Sequence, residues 1–356
     1  MIIGLIGLAN SGKTTIFNAL TGSEAAVTAY ANAKVEPNLA AVAVADPRVA
    51  RLEEMYSPKK TTYATVDMID FVGLSEGAAQ GGAFSGLTMG LVKNTDAIGL
   101  VVRNFDDELA GAPDPVGDME QIEVELFMSD LIIAEKRLEK IDLCYRRGQK
   151  DRDLEFEEAL LRKIVDQLGK DRPILEMDLN EDESKAVKGF HFLTKKPMVV
   201  IVNSNEENFG KSADRIAAIE KRHQAIEFAG TFEMELARLD DKEEARLFME
   251  DLGIAESARD RLTRIAYDTV GYISFFTVGA DEVRAWNVCR GQSAVEAAGA
   301  IHNDLARGFI RAECFSYDDL IECGSEKAVR EKGRFRLEGK NYVVNDGDIL
   351  SIRFSV

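Results

Sequence analysis

The sequence predicts an α/β protein built on a parallel β-sheet, with a helical insertion and a smaller α+β domain at its C-terminus. Short runs rich in Val, Ile and Leu alternate with helix-like stretches at the N-terminus and resume near residue 198. An amphipathic, helix-like stretch separates the two parts of that alternation. After residue 274 the pattern changes to short strand-like runs punctuated by Gly and Asp. A chain of 356 residues has the length for two or three such domains.

The apolar runs are continuous, which is typical of parallel strands that are buried on both faces of a sheet. They lie at 2–8, 40–44, 65–70, 97–103, 198–203 and 224–228. Because the alternation stops and later resumes, the segment 117–195 is predicted to be inserted into the sheet domain.

Within the insertion, apolar residues recur at spacings of three and four, as they do along the seam between two packed helices. The first predicted helix carries Val124, Phe127, Leu131, Ala134, Leu138, Ile141 and Tyr145, and the second carries Leu154, Leu161, Ile164 and Leu168. The polar run 146–151 breaks the pattern, with Gly148 as a plausible C-cap. The insertion is therefore expected to form an antiparallel helical hairpin.

The predicted tip of this hairpin is basic. It carries Lys136, Arg137, Lys140, Arg146, Arg147, Lys150 and Arg152, against Glu139, Asp142 and Asp151. A solvated helix face and an RNA-contacting surface both account for such a charge run, so both interpretations stay open.

The C-terminal part mixes two kinds of element, which predicts an α+β domain. Strand-like runs lie at 275–279, 284–288, 309–315, 342–346 and 349–354, and helix-like runs lie at 293–306 and 325–332. No catalytic constellation stands out in this segment.

The charge of the whole chain limits its partners. Asp and Glu outnumber Lys and Arg by 62 to 44, for a formal net charge of −18. This sign argues against DNA binding and requires a local basic patch for any RNA contact. No apolar run reaches the ~18–20 residues of a membrane span, and a strand-like run stands where a signal peptide would begin. We expect a cytoplasmic monomer with no membrane contact.

Residues 7–14, Gly-Leu-Ala-Asn-Ser-Gly-Lys-Thr, match the phosphate-loop pattern G-x-x-x-x-G-K-[ST] in full. The pattern follows a predicted strand and opens a predicted helix, which is the context that it requires. There, backbone N–H groups and the helix dipole hold the phosphates, Lys13 reaches the β- and γ-phosphates, and the Thr14 hydroxyl binds Mg²⁺. A nucleoside triphosphate and Mg²⁺ are the predicted ligands.

Two further motifs follow predicted strands of the same sheet. Asp70-Phe71-Val72-Gly73 is a D-x-x-G motif, in which Asp70 is expected beside Mg²⁺ and Gly73 beside the γ-phosphate. Asn203-Ser204-Asn205-Glu206 lies where GTPases place N-K-x-D. Because Glu206 replaces the Asp that would hold guanine, ATP becomes a candidate beside GTP.

These motifs and several longer stretches resemble the YchF-type Obg-like ATPases, a branch of the translation-factor-related P-loop GTPases. The matching stretches are 7–22, 35–38, 46–52, 95–103, 119–140 and nearly all of the chain after residue 275. The resemblance implies a Ras-like G domain at 1–116 and 196–273, a helical coiled-coil insertion at 117–195 and a TGS-like domain at 274–356.

The resemblance also implies an activity and a site. Such proteins hydrolyse ATP in preference to GTP through an N-x-x-E motif, here Asn203 and Glu206, and associate with ribosomes. Asn10 stands where potassium-dependent relatives hold K⁺. Mg²⁺ is expected on Thr14 and Asp70, and Lys13 is the expected catalytic residue. Nucleotide contacts are expected from Asn10, Ser11, Gly12, Lys13, Thr14, Thr15, Gly73, Asn203, Ser204 and Glu206.

Two departures from the family pattern, at Lys34 and in switch II, and one replacement that the family shares, at Leu74, concern hydrolysis. Lys34 stands where a switch I Thr would complete the Mg²⁺ shell, and an ammonium has no lone pair to offer a metal. The switch II segment 77–85 has Ala and Ser at positions where the family prefers Gly. Leu74 replaces the water-orienting Gln of Ras-like enzymes, as it does across the family.

Two functions of different classes remain open at this point. The first is a slow NTPase, favouring ATP, that acts as a nucleotide-dependent switch at the ribosome through its hairpin tip and TGS-like domain. The second is a nucleotide-gated binding module whose hydrolysis has decayed. A small-molecule kinase would leave the D-x-x-G and N-x-x-E motifs unexplained.

Overall fold

The structure, a computed structural model, describes residues 1–22, 38–71, 92–107, 111–236 and 256–355, together with 239, 244, 247, 249 and 250. The predictions for Lys34, Gly73, Leu74 and the segment 77–85 fall outside the described residues. In chain order the elements are β1 (Ile2–Ile6), α1 (Lys13–Thr21), β2 (Asn38–Ala43), α2 (Pro47–Tyr56), β3 (Lys60–Thr62), β4 (Thr65–Asp70), β5 (Ala97–Asn104), α3 (Pro115–Arg146), α4 (Arg152–Leu168), a 3₁₀ helix (Ile174–Glu176), α5 (Glu181–Lys188), β6 (Met198–Ser204), α6 (Ala213–Glu220), β7 (Gln224–Phe228), α7 (Gly230–Leu236), α8 (Ala258–Val270), β8 (Tyr272–Thr277), β9 (Glu282–Cys289), α9 (Ala294–Ile301), α10 (Asn303–Arg307), β10 (Phe309–Ser316), α11 (Tyr317–Cys323), α12 (Glu326–Glu331), β11 (Arg336–Glu338) and β12 (Asp348–Phe354).

The chain divides into two compact units. One comprises 2–40 and 67–259, and the other comprises Met1, 41–66 and 260–356. The segment 41–66 therefore belongs with the C-terminal part of the chain, where β3 pairs in parallel with β9. The three-part domain division read from the sequence stays a prediction.

The first unit is built on a parallel sheet, which confirms the predicted α/β class. The strands pair in parallel in the order β4-β1-β5-β6-β7. Every residue of β5 and β6 is buried, as the continuous apolar runs predict. Because all these strands run the same way, their C-terminal ends meet at one edge, which is where parallel sheets hold ligands.

The helical insertion lies in the same unit, and its two long helices are α3 and α4. Their shared core contains Phe127, Ala134 and Ile141 from the first seam, and Leu161 from the second. Asp151 caps the N-terminus of α4 through a bond from the Leu154 N–H, and Gly148 takes the left-handed conformation expected after α3.

One seam position was predicted wrongly. Val124 is 56% exposed. The first turns of α3 pack on the core of the sheet through Met119, Ile122 and Leu126 instead of on α4. The buried stripe therefore changes direction along the helix, and Val124 falls outside both contacts.

The second unit contains a sheet in the order β11-β10-β12-β8-β9-β3, covered by short helices, which confirms the α+β prediction for the C-terminal segment. The predicted strand at 342–346 is wrong, since Val343 makes only an isolated bridge to Ser293. The loop there is held by Asp348, which accepts hydrogen bonds from the Tyr342 hydroxyl and the Asn345 N–H. Strand β11 was not predicted.

Among the described helices, none is both long and apolar enough to cross a lipid bilayer.

Candidate nucleotide-binding site

The phosphate loop lies between β1 and α1, at the C-terminal edge of the parallel sheet. Asn10 and Gly12 both have a left-handed backbone, with φ of 60° and 84°. Helix α1 starts at Lys13 with no side-chain cap, so its first N–H groups face the loop rather than a capping side chain. Such a helix start is a ready binding site for phosphate.

Lys13 is buried and folded onto the loop that precedes it. Its ammonium group donates hydrogen bonds to the Leu8 carbonyl at 2.7 Å and the Gly7 carbonyl at 3.2 Å. Burial lowers the pKa of Lys13 to about 8, against the attraction of Asp70, which raises it. A bound phosphate would give this buried ammonium a negatively charged partner and favour its protonated form.

Thr14 and Asp70 meet, as the motifs predict for a Mg²⁺ site. The Thr14 hydroxyl donates to the Asp70 carboxylate at 2.9 Å, and the Asn38 side-chain amide lies 3.4 Å from the same oxygen. Burial raises the pKa of Asp70, while hydrogen bonds from Thr14 and Asn38 and the charge of Lys13 lower it. A buried carboxylate with an adjacent hydroxyl is the hard-oxygen donor set that Mg²⁺ takes when phosphates complete its shell.

The donor set fits Mg²⁺ better than a transition metal. Across the described ranges, no cluster of three or more His, Cys, Asp or Glu side chains is arranged to hold a metal. Thr14 and Asp70 would hold the ion, whose chemistry would be to neutralise charge on the β- and γ-phosphates.

Asn203 links the predicted base motif to the phosphate loop. Its side-chain amide donates to the Ser11 carbonyl at 3.0 Å. A Cβ on Gly12 would lie 2.1 Å from that amide nitrogen, and a Cβ on Gly230 would lie 2.8 Å from the amide oxygen. A side chain at either glycine would therefore have to displace the Asn203 amide. Thr15 lines the same contact, 3.3 Å from the position of a Gly230 Cβ.

The other two base-motif residues are in different surroundings. Glu206 is exposed in the loop after β6. Ser204 is 2% exposed, and its hydroxyl donates to Glu227 at 2.7 Å. Ser204 is thus bonded to the neighbouring strand β7, and its hydroxyl hydrogen is engaged by the Glu227 carboxylate.

The structure brings the phosphate loop, Asp70 and Asn203 together at one sheet edge, as the motif order along parallel strands predicts. It also brings in residues to which we gave no role from sequence. Asn38 could have been found from the sequence, because it ends the V-E-P-N stretch that directly follows Lys34, the switch I position expected beside the metal. Asn104 and Glu227 carried no motif signal at all.

Two family profiles match the chain. The profile of the 50S ribosome-binding GTPases matches residues 2–137. The profile of the C-terminal domain of YchF GTPases, described as a protein of unknown function, matches residues 272–355.

Curated and solved relatives match the whole length. The ribosome-binding ATPase YchF of Haemophilus ducreyi is 38% identical over 99% of both chains. The protein of the same name from Bacillus subtilis is 36% identical over 99% of both. The structure of the Schizosaccharomyces pombe YchF GTPase superposes with a TM-score of 0.82 at 30% identity, covering 99% of this chain and 97% of the other. The chain therefore belongs to the YchF family of P-loop NTPases.

Proposed function

We propose that this protein hydrolyses ATP slowly, with GTP as the weaker substrate, and acts as a Mg²⁺-dependent nucleotide switch at the ribosome. The convergence of Lys13, Thr14 and Asp70 beside the uncapped start of α1 is the observation that supports hydrolysis. Phosphoryl transfer needs positioning and charge neutralisation above all, and these groups supply both.

The same geometry supports a low rate. Within the described part of the site, Lys13 bonds to carbonyls of the phosphate loop and Asp70 accepts the Thr14 hydroxyl. Neither group is placed as a base for an attacking water. Turnover then depends on electrostatic stabilisation, with K⁺ beside Asn10 as a proposed contributor and the ribosome as the proposed activator.

Phosphate release tests this proposal. Purified protein is assayed with ATP and GTP in Mg²⁺, in K⁺ or Na⁺, with and without ribosomes. Thr14→Ala is the site variant, and Thr21→Ala is its control on the same helix, since the Thr21 hydroxyl bonds the Phe17 carbonyl one turn earlier. We expect ATP turnover that is lost in Thr14→Ala and kept in Thr21→Ala. Tight binding without turnover under every condition would favour the nucleotide-gated binding module instead.

The ribosome contact is proposed to lie on one face of the hairpin tip. Three of the seven basic residues there are paired within the protein, namely Arg137 with Glu157, Arg146 with Asp142 and Lys150 with Glu155. Ion pairs hold these three charges, so they contribute little to attracting a distant anion.

The remaining cations of α3 and its C-cap form a stripe. Lys136, Lys140 and Arg147 are exposed and form no ion pair with any residue that the structure describes. Spacings of four and seven residues place them on one helix face, which also presents Leu143, 48% exposed. Helical backbone holds these charges in a row, which suits contact with an RNA phosphate backbone. The TGS-like domain is the second proposed contact.

Ribosome co-sedimentation tests the stripe. Lys136, Lys140 and Arg147 are each changed to Glu, and the control changes Lys185, Lys188 and Lys221, three exposed lysines away from the tip, in the same way. We expect weaker binding with a reduced salt dependence in the stripe variant only. Equal binding by both variants would indicate that the stripe is a solvated helix face and not a ribosome contact.

A further inference from the structure

The loop that carries Glu206 spans residues 205–212 and joins β6 to α6; we refer to it as the base loop. Glu206 itself is exposed and lies on irregular backbone. The position of a side chain on a loop depends on the contacts that hold the loop. The hydrogen bonds that hold the base loop therefore decide where the Glu206 carboxylate lies.

Glu227, on the adjacent strand β7, joins the two ends of the base loop. One carboxylate oxygen accepts the Ser204 hydroxyl at 2.7 Å, and the other accepts the Gly210 N–H at 3.0 Å. Glu227 is 9% exposed, so little water competes for these bonds. A single side chain thus closes the loop immediately before and after the segment that holds Glu206.

Asn104, at the end of β5, holds the loop from the opposite side. Its side-chain amide donates to the hydroxyls of Ser204 at 2.8 Å and Ser212 at 2.7 Å, while its backbone carbonyl accepts from Asn208 at 3.0 Å. Its amide oxygen accepts from Arg215 at 2.8 Å. Asn104 is fully buried, so each of these bonds replaces hydration that is lost on folding.

We propose that Glu227 and Asn104 are positioning residues that set the preference for adenine over guanine by fixing Glu206, without touching the nucleotide. This inference rests on the proposed role of Glu206 in reading the base. The triphosphate end is held separately, because Asn203 bonds the phosphate loop and not the base loop. Loosening the base loop should therefore alter base discrimination more than it alters triphosphate binding.

Glu227 is the better residue to test, because its two bonds join both ends of the loop. Dissociation constants for ATP and GTP are measured by calorimetry in Mg²⁺ for the wild type, Glu206→Ala, Glu227→Ala and the double variant. The readout is the GTP-to-ATP ratio of the two constants, which a general loss of stability leaves unchanged. Glu183→Ala, which removes a buried carboxylate from the insertion, is the matched control.

We expect Glu206→Ala to reduce the ratio about tenfold and Glu227→Ala to reduce it by about three- to tenfold, as for the loss of one or two hydrogen bonds. In the double variant, Glu227→Ala should add nothing to Glu206→Ala, because residues that act through one group are not additive. The control should keep the wild-type ratio.

The two proposals fail in different ways. A ratio unchanged by Glu206→Ala would remove the proposed role of Glu206 in base selection. The positioning role would be overturned if Glu206→Ala changed the ratio and Glu227→Ala did not. It would also be overturned if Glu227→Ala kept its full effect on the ratio in the double variant. If Glu227→Ala does not fold, Glu227→Gln decides, because it keeps one acceptor and should give a smaller change of ratio in the same direction.

Discussion

The phosphate end and the base end of the nucleotide site are built in different ways. At the phosphate end, the phosphate-binding groups lie within eight consecutive residues of a loop and helix start. Asp70 joins them from β4, the strand beside β1 in the sheet. At the proposed base end, the loop that carries Glu206 is held by Asn104 and Glu227, which are about a hundred and about twenty residues away from Glu206 along the chain. Local backbone geometry fixes the first end, and long-range side-chain contacts fix the second.

This difference teaches where variation is tolerated. A phosphate is a uniform ligand, and a nest of backbone N–H groups binds it without side chains that could be exchanged. A base is recognised by a few side-chain atoms, so its selectivity depends on how a loop is positioned. Substitutions at the two ends should therefore have different consequences. Three predictions concern the phosphate end, for comparison with the base-loop variants above, and a fourth concerns a buried carboxylate outside both ends; they run from the largest expected effect to the smallest.

Asp70→Asn should have the largest effect. The amide keeps the shape of the carboxylate but loses the charge that would hold Mg²⁺ beside Thr14, so kcat for ATP should fall by about 10²–10³-fold. Nucleotide affinity measured without Mg²⁺ should change little. The measurement is steady-state phosphate release, with Asp130→Asn as a second buried carboxylate whose loss should leave kcat intact. Comparable losses in the two variants would contradict the metal role.

Gly12→Ala should weaken nucleotide binding by about a hundredfold. A left-handed alanine is strained by about 1–2 kcal/mol, and its Cβ must also displace Asn203. Gly22→Ala is the control at the other end of α1. It has a similar φ of 67°, but a Cβ there meets no atom of the described residues within 4 Å, so the substitution should lower stability alone. Calorimetry with ATP and thermal unfolding separate the two effects, and equal losses of affinity would argue against a specific role for the Gly12–Asn203 contact.

Lys13 should give ATP affinity a dependence on pH. Its pKa in the free protein is lowered to about 8 by burial, and a bound phosphate favours the protonated form. Affinity should therefore be highest below about pH 8 and fall as pH rises through it, by at most about tenfold per pH unit. Titrations between about pH 7.5 and 9.5 measure this, and Lys13→Arg should flatten the profile because arginine stays protonated. A wild-type profile as flat as that of Lys13→Arg would contradict the prediction.

Asp130 should have the smallest effect, and only on stability. It is a buried carboxylate in the insertion that accepts hydrogen bonds from the Leu193 and Thr194 backbones. Burial raises its pKa to about 6, above the unfolded value of 3.8, so its contribution to stability is present below about pH 4 and is lost as pH rises through 6. Between about pH 5 and 7.5 the free energy of unfolding should fall by about 1 kcal/mol more in the wild type than in Asp130→Asn. Urea unfolding at both pH values checks this. The prediction is excluded if the free energy of unfolding falls by the same amount between the two pH values in both proteins.

Elements with a strong local signal were predicted correctly. The continuous apolar runs of β5 and β6 were found because strands buried on both faces leave no polar position to confuse the pattern. The hairpin turn was found because the polar run and Gly148 both interrupt the helical period. In contrast, Val124 continues the period of α3, and only the packing of that helix on the sheet takes it out of the seam.

By itself, the amino-acid sequence determined the α/β class, the phosphate loop and the Thr14–Asp70 pair. The α/β class follows from the spacing of apolar residues along the chain. The phosphate loop depends on its own backbone, and Thr14 and Asp70 meet because each lies just after or at the end of a neighbouring parallel strand. Only the tertiary structure decided that Lys13 is buried, that Asn203 packs closely against Gly12 and Gly230, and that Asn104 and Glu227 hold the base loop. Those contacts join distant parts of the chain, and the residue types involved are equally common on protein surfaces, so no pattern along the sequence distinguishes them.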